Sequence, residues 1–368
     1  MSDIQEPRRT RIKLIYEGKD ISRDIAPFLL SFDYTDKASG EADDIQITLE
    51  DRDGLWRDPW FPSKGDKIAA SIITENWDEG SSRSLYCGSF EVDEIEVSEP
   101  PMTVSVKAVS APRSTSMRDE SKNKNWEGYK LSGIAGDIAG KAGMSLEYIA
   151  EKDPQYDTRN QVEQSDMSFL MKLCSDSGLA LKVTDEKIVI FDEEEFEEKA
   201  AVSSLKRGDY RIISASLKTK MAGTYKAAHV AYSDSLEDEK FEVYEDDETI
   251  DGDNGQTLEI NQRVRGRGEA EELAKGKLRE ANKKEVTGSF TMAGDLGLVA
   301  GLNLSIEGYG KFDGKYFIES AKHSYSGSGY TTGVEIREGG PSKKAKKDKK
   351  TKESTVKPQL GGNFSVYK

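Results

Sequence analysis

Alternation of apolar and polar residues dominates two blocks of the chain and restricts its fold most strongly. In the first block, residues 11–110, the alternation is clearest at residues 45–49 (IQITL) and 104–108 (VSVKA). Period-two alternation is typical of half-buried β-strands. Turn-forming segments such as KASGEAD and PSKGD separate the runs, which favours an antiparallel barrel or sandwich over βαβ units. The first block is therefore predicted to be an all-β domain.

The second block begins near residue 205 and shows the same period. Apolar residues alternate at 213–217, 302–306 and 334–336, which predicts a second β domain. One helical pattern interrupts this block at residues 268–284, where small and apolar side chains share one face: Ala270, Leu273, Ala274, Leu278 and Ala281. We expect a mainly β domain that contains a single clear helix.

A short motif occurs once in each β block. Residues 65–68 (GDKI) lead into residues 88–95 (GSFEVDEI), and residues 301–304 (GLNL) lead into residues 314–321 (GKYFIESA). The two longer segments both read Gly-x-aromatic-x-aliphatic-acid-x-apolar. Such a repeat indicates two copies of one β domain in a single chain. Because the match is short, two unlike β domains that share it by chance remain the alternative.

Between the blocks, residues 113–204 have the pattern of a small α+β domain. At residues 131–142 the apolar side chains recur with helical spacing, with Ser132 placed to cap the helix and Gly143 placed to end it. A second helix is predicted over residues 165–178, where apolar side chains again line one side. The chain is therefore predicted to carry an α+β insert between its two β domains.

Charge is unevenly distributed along the chain. Lys and Arg number 53 and Asp and Glu number 68, so the formal net charge is −15. Residues 342–368 hold nine lysines against Asp348 and Glu353, a net of +7, which leaves −22 on residues 1–341. The acidic main part disfavours a specific nucleic-acid partner. The basic end has few apolar residues and is predicted to be a disordered tail, or a tether for an acidic partner.

Candidate catalytic residues are few. Cys87 and Cys174 are isolated from each other, and His229 and His323 lie in predicted strands outside any catalytic motif. No phosphate-binding glycine loop is complete. We therefore expect no enzyme activity, no cofactor and no metal site. A pair of glycosidase carboxylates has no sequence signature, so that class stays open.

Two acidic segments are candidate cation sites. Residues 193–198 read EEEFEE, and Asp251, Asp253 and Glu259 partly match a calcium-binding loop. The calcium-loop pattern lacks its glycine and its flanking helices, and runs of like charge usually form solvated surface. Both segments are interpreted as exposed acidic surface.

Three segments carry motifs that point to one family. In residues 43–66 an acidic β stretch ends in a Leu-Trp loop and a Lys-Gly-Asp turn, at Leu55, Trp56, Lys64, Gly65 and Asp66. Residues 164–178 contain Asp-x-x-Phe-Leu-x-x-Leu before a glycine, at Asp166, Phe169, Leu170, Leu173 and Gly178. Residues 312–336 contain an aromatic-glycine pair and a His-x-Tyr, at Phe312, Gly314, His323 and Tyr325. Together these segments resemble the late-control-D family of contractile-tail baseplate hub proteins.

The resemblance implies a mainly β fold with an α+β insert. Two tail-tube-like β-barrel domains, at residues 1–112 and 205–340, flank the insert at 113–204, and a flexible basic tail follows at 341–368. The matched motif residues are then structural. Three such chains form a ring of six similar barrels, which adapts a six-fold tail tube to a three-fold spike.

The partners implied are two further copies of the chain, the tail tube protein, the spike protein and other baseplate proteins. No apolar stretch approaches the roughly 20 residues of a membrane helix, so no membrane partner is expected. The protein is then made in the cytoplasm of a host bacterium and assembled into the baseplate of a phage tail or a tail-like particle.

An alternative function is a tail-tip protein that binds or hydrolyses peptidoglycan. Residues 129–149 (YKLSGIAGDIAGKAGMSLEYI) look like a LysM wall-binding repeat, although Trp126–Tyr129 replaces the usual Gly-Asp-Thr-Leu start. Retention of the isolated segment 113–200 on purified peptidoglycan distinguishes the alternative from a purely structural hub.

Overall fold

The structure is a computed structural model that describes residues 7–77, 82–110, 116–184, 186–220, 222–234, 239–247, 255–262, 264 and 266–339. The basic tail predicted at residues 341–368 lies outside these ranges, and so do Asp251 and Asp253 of the acidic segment. No helix among the described residues has both the length and the apolar character needed to cross a bilayer.

The chain forms twenty-one strands in the part that the structure describes. The strands before the insert are β1 (Arg9–Tyr16), β2 (Lys19–Asp20), β3 (Leu29–Lys37), β4 (Asp44–Glu50), β5 (Lys67–Glu75), β6 (Ser82–Ser98) and β7 (Thr103–Val109). The insert contributes β8 (Lys122–Lys130), β9 (Ser145–Tyr148), β10 (Gln155–Gln164), β11 (Ala180–Val183) and β12 (Lys187–Phe191). The remaining strands are β13 (Ser203–Lys206), β14 (Ile212–Thr219), β15 (Ala227–Asp234), β16 (Glu239–Asp246), β17 (Thr257–Ile260), β18 (Val286–Ala293), β19 (Asn303–Glu307), β20 (Gly314–Ser326) and β21 (Gly329–Glu338).

Six α-helices accompany these strands within the described ranges. They are α1 (Ser22–Ile25), α2 (Ser116–Asp119), α3 (Leu131–Lys141), α4 (Asp166–Asp176), α5 (Glu193–Glu198) and α6 (Arg267–Asn282). The helices predicted at residues 131–142, 165–178 and 268–284 correspond to α3, α4 and α6. The predicted mainly β character is confirmed.

Most strands belong to one large sheet. Its order is β14-β18-β21-β20-β3-β4-β7-β6-β5-β1-β2, with β19 beside β20 and β13 beside β19. Because β20 pairs with β3, the two predicted β regions are joined in a single sheet. Among the described residues no pairing closes either half, so the predicted tube-like barrels are not seen as closed barrels in one chain.

Two apolar clusters support this sheet, as the alternating pattern requires. The strands before the insert bury one face around Leu14, Phe32, Ile45 and Phe90. The later strands bury theirs around side chains that include Phe290, Tyr316 and Ile336. The alternating residues at 45–49, 104–108, 302–306 and 334–336 therefore contribute to these cores, whereas at 213–217 the prediction is wrong, because Ile213 (64%) and Ala215 are exposed.

The residues between the two β regions form an α+β layer with its own apolar core. Trp126 of β8 is 1% exposed and stacks on Phe169 of α4, with ring centroids 6.5 Å apart. The predicted cap of α3 is wrong: the Ser132 side chain does not cap the helix, and the loop carboxylate of Asp153 instead accepts hydrogen bonds from the Ser132 backbone N and Oγ. Gly143 follows the helix at φ +69°, as a helix-ending glycine does.

A second layer, not anticipated from the sequence, is separate from the large sheet. Strands β15, β16 and β17 form a separate three-stranded sheet, and α6 covers it. The buried face of α6 includes Ala270, Leu273 and Leu278, which the helical pattern predicted. This layer brings α6 against α4 of the insert.

Candidate assembly interface

Both motif copies occupy the same position in a strand pair. In the first half, Ile68 of β5 lies opposite Phe90 of β6. In the second half, Leu304 of β19 lies opposite Tyr316 of β20. Each of these residues holds the same place in its motif copy. The predicted repeat therefore extends from sequence to strand register.

The turn before each pair is also the same. Gly65 and Gly301 adopt φ +89° and +84°, a conformation that favours glycine. Their backbone N atoms donate to the carbonyl oxygens of Val92 (2.8 Å) and Ile318 (2.9 Å), which are equivalent positions of the motif. A Gly-x-x-apolar entry thus fixes the register of both strand pairs.

Bulges recur at equivalent positions as well. Asp93 is the extra residue where β6 pairs with β7, and Glu319 is the extra residue where β20 pairs with β21. In the first strand of each half, Leu30 of β3 and Ile213 of β14 are likewise extra. A bulge changes the local twist of a sheet and is rarely placed by chance.

These equivalences define two five-stranded units. The first unit comprises β3, β4, β5, β6 and β7, and the second comprises β14, β18, β19, β20 and β21. In both units the strands pair in the same order, first-second-fifth-fourth-third along the chain. We use "first unit" and "second unit" for these strands below.

The two units meet at a seam in which β20 pairs antiparallel with β3. Seven residue pairs form it, from Ser320 opposite Lys37 to Ser326 opposite Ser31. At its centre, the rings of His323 and Tyr34 stack 5.9 Å apart. We call this contact the internal seam. In it, the end of β20, the fourth strand of the second unit, pairs with β3, the first strand of the first unit.

The first family motif lies in the loop between β4 and β5. Trp56 packs with Phe28 (5.9 Å) and Trp60 (5.3 Å between ring centroids), whereas Leu55 is half-buried and Lys64 is exposed. Trp60 itself remains 47% exposed. The loop thus covers the end of the first unit and presents part of its aromatic surface outward.

Asp66 closes this loop. Its carboxylate accepts hydrogen bonds from the Ser63 backbone N (2.7 Å) and from the Tyr16 hydroxyl. Burial, and then the neighbouring carboxylate, raise the pKa of Tyr16 to about 12, so this phenol stays a donor at neutral pH. The Lys-Gly-Asp turn is therefore an anchor of the loop on β1.

The second family motif builds the insert core. Phe169, Leu170 and Leu173 are buried on α4. Asp166 at the start of the helix is 5% exposed, accepts a hydrogen bond from Gln161 Nε2 (2.9 Å) and pairs with Lys122 Nζ (2.6 Å). The sequence motif identified Asp166 but not its two partners, which lie on β10 and β8.

Gly178 lies where the end of α4 approaches α6. It has φ +70°, and a Cβ added to the facing Gly276 would lie 3.2 Å from the Gly178 backbone N. Two glycines thus allow the backbones of the insert and α6 to approach closely.

The third motif lies on β20 and the turn before it. His323 is fully buried, its Nδ1 lies 2.7 Å from the Tyr330 hydroxyl, and burial lowers its pKa to about 4. It is therefore neutral at physiological pH. Phe312 and Gly314 form the turn into β20, where the Phe312 carbonyl accepts from the Tyr316 hydroxyl (2.8 Å), and Tyr325 is half-buried near the end of the strand.

The acidic run at residues 193–198 is only partly the solvated surface predicted from its composition, because Glu195 and Glu198 are exposed but two of its glutamates are buried. It forms α5, in which Glu193 and Glu197 are 8% and 3% exposed. Both carboxylates pair with Arg337 of β21, at 3.0 and 2.5 Å. These two glutamates can be buried because a buried cation from a distant strand compensates their charge.

A second buried ion cluster connects the insert to the first unit. Lys182 of β11 is 2% exposed and contacts Asp36 (2.7 Å) and Asp43 (3.2 Å). Burial, which outweighs the attraction of Lys182, raises the pKa of Asp43 to about 7. Like Arg337, Lys182 forms buried ion pairs with residues of another layer.

The two cysteines lie buried in the described part of the chain. Burial raises the pKa of the Cys87 thiol and raises that of Cys174 to about 12, so neither is a ready nucleophile. His229 of β15 contacts Glu259 (2.7 Å), and no group of three or more His, Cys, Asp or Glu side chains is placed to hold a metal ion within these ranges. The features that stand out are strand edges and junctions.

Sequence comparison finds relatives among phage baseplate proteins. The chain is 28% identical over 181 residues to a probable baseplate hub protein of Escherichia phage P2 and 32% identical over 181 residues to that of Escherichia phage 186. Both alignments cover 48% of this chain and 43% of the relative, so the match spans less than half of each relative. No protein-family model matches the chain.

Structural comparison covers nearly the whole chain. The 43 kDa tail protein of prophage MuSo2 from Shewanella oneidensis has a TM-score of 0.68 at 14% identity, covering 89% of this chain and 98% of that protein. A tail protein from Neisseria meningitidis MC58 has a TM-score of 0.66 at 13% identity, covering 89% and 96%. The shared feature is the tail-protein fold, and the sequence relatives confirm the predicted resemblance: the chain is a relative of phage baseplate hub proteins.

Proposed function

We propose that the chain is the structural hub of a contractile-tail baseplate and that it acts as a homotrimer. In this proposal each chain supplies two tube-like units, and three chains supply six. Such a ring matches a six-fold tail tube on one side and a three-fold spike on the other. The function then resides in surfaces rather than in catalysis.

The observation that carries the proposal is the repeated five-stranded unit. Because both units share register, entry turn and bulges, one chain already contains two neighbouring copies of one building block. The internal seam joins these copies head to tail. A head-to-tail contact repeated between chains forms a ring if its rotation closes.

The relatives support this proposal at a coarser level. Both are named as probable baseplate hub proteins, and two tail proteins have a similar fold. Since the alignments cover less than half of each relative, the tail tube, the spike and the other baseplate proteins are proposed partners.

Mass in solution tests the trimer. The chain has a mass of 40.8 kDa, so light scattering on a sizing column should show a species near 122 kDa, alone or with the candidate spike protein. A series of protein concentrations is needed because assembly depends on mass action. A 40.8 kDa species throughout, with spike present, contradicts the hub proposal and favours the peptidoglycan-binding alternative, which a pull-down on purified peptidoglycan then checks.

A further inference from the structure

Two strand edges that correspond to the internal seam have no strand partner among the described residues. The seam uses the end of β20 and the outer edge of β3. The equivalent elements of the other unit are residues 94–98 at the end of β6 and the outer edge of β14. Within the described ranges, β6 residues 94–98 pair only with β7, and β14 pairs only with β18.

Side chains at the paired edges are more buried than their equivalents at the unpaired edges. Phe32 and Tyr34 of β3 are buried in the seam, whereas their equivalents on β14, Ala215 and Leu217, are exposed and half-buried. On the other side of the contact, buried His323 corresponds to Val97, which is 47% exposed. Each unpaired edge is thus equivalent to a strand of the internal seam, but among the described residues no partner strand covers its side chains.

The register of the internal seam fixes which residues of the free edges would face each other. In the seam, His323 lies opposite Tyr34. Their equivalents are Val97 and Leu217, an apolar pair. Two residues earlier on β6 and two residues later on β14, Ile95 falls opposite Thr219 on the same face.

The opposite face of this register is charged and complementary. Glu96 falls opposite Lys218, and Glu94 falls opposite Lys220. All four side chains are exposed in the single chain. Opposite charges placed directly across an antiparallel strand pair stabilise it. A register shifted by one residue would lose both of these charge pairs.

We propose that residues 94–98 of one copy pair antiparallel with β14 of the next copy, with Val97 opposite Leu217 and Glu96 opposite Lys218. This inference rests on the proposed homotrimer and specifies its contact. The second copy is the occupant because the internal seam already shows the same pairing between equivalent strands. Repetition of one contact within and between chains lets every unit of the ring meet its neighbour in the same way.

The loops that join the second and third strands of each unit are equivalent in the same way. In the chain, the connection between β18 and β19 places Leu296 and Val299 against the core of the first unit. The equivalent connection, between β4 and β5, exposes Trp60 (47%) and Phe61 (49%). In the proposed contact this aromatic surface lies over the second unit of the next copy.

Charge reversal tests the pairing on the full-length protein. Glu96→Lys and Lys218→Glu should each raise the protein concentration at which the trimer dissociates about tenfold, whereas the double variant should return to within about threefold of the unmodified chain. Glu127→Lys is the matched control: it lies exposed on β8, outside both edges, and should leave dissociation unchanged. Circular dichroism of each variant checks that folding is retained.

Disulfide trapping tests the register. Val97→Cys together with Leu217→Cys should give covalent species up to three chains on mild oxidation, because the buried thiols of Cys87 and Cys174 do not compete. Val97→Cys with Ser216→Cys places the second thiol on the other face and should not cross-link.

The outcomes separate the two proposals. An unmodified chain that stays monomeric with the spike present overturns the homotrimer, and the pairing falls with it. A stable trimer that ignores both single charge reversals, or that the double variant fails to restore, overturns this contact and leaves the hub intact. Equal cross-linking by both cysteine pairs overturns the register.

Discussion

Arg337 offers the sharpest test of how the insert is fastened to the sheet. Its guanidinium is 2% exposed and contacts three carboxylates, those of Glu193 (3.0 Å), Glu197 (2.5 Å) and Glu319 (3.2 Å). Substitution Arg337→Met keeps most of the side-chain volume but removes the charge. Removing one partner of a buried ion pair typically costs 3–5 kcal/mol, because the remaining charge is left buried.

The expected loss lies at the lower end of that range. Glu193 keeps Lys283 at 3.4 Å and Glu197 keeps Arg279 at 2.9 Å, so neither carboxylate is left without a cation. We expect Arg337→Met to lower the free energy of unfolding by about 3 kcal/mol at pH 7. Urea denaturation measures the change.

The pH dependence gives a second signature. Burial alone would raise the pKa of Glu193, but Arg337 and Lys283 outweigh it and hold the pKa at about 2. This folded-state pKa lies below the ordinary glutamate value of 4.5, so the contribution to stability is present above pH 4.5 and is lost as the pH falls towards 2. Without Arg337 the pKa should rise, so the folded variant takes up a proton more readily. The difference between variant and unmodified protein should therefore shrink from pH 7 to pH 4.

Arg267→Met is the matched control. Arg267 makes an i,i+4 pair with Glu271 on α6, and both side chains are exposed. We expect a change within about 0.5 kcal/mol. The reasoning is refuted if Arg337→Met costs no more than this control, or if its cost is the same at pH 4 and pH 7.

Two further predictions concern backbone strain and thiol burial. Gly178→Ala should destabilise the chain by about 1–2 kcal/mol in a thermal melt, because φ is +70° there; Gly140→Ala, inside α3 with no atom within 4 Å of the new Cβ, should be neutral or slightly stabilising. Cys87 and Cys174 are buried with raised pKa values, so a thiol reagent should label neither until denaturant is added; prompt labelling of the native protein contradicts their placement.

Local patterns predicted the elements of this fold well. The alternation at residues 45–49 and 104–108 corresponds to β4 and β7, and the apolar stripe at 131–142 corresponds to α3. These signals depend on burial of one face, which is encoded within a few residues. The repeated motif also predicted a repeated strand pair.

Long-range charge compensation was not predictable in this way. The run at residues 193–198 looks solvated by composition, and only the fold brings Arg337, some 140 residues later, against it. Lys182 with Asp36 is a similar case, separated by 146 residues. No local pattern marks a lysine or a glutamate whose partner lies on another layer.

The proposed contact between copies differs from the internal seam in composition, and the difference has a physical consequence. The internal seam buries Phe32, Tyr34 and His323, which favours a permanent joint. The edges proposed to meet between chains carry smaller apolar residues, with Glu96 facing Lys218. An exposed edge that carries charge resists random strand pairing, so a single chain can persist before assembly. Since exposed ion pairs are screened by salt, the assembled ring should loosen as ionic strength rises while the internal seam holds.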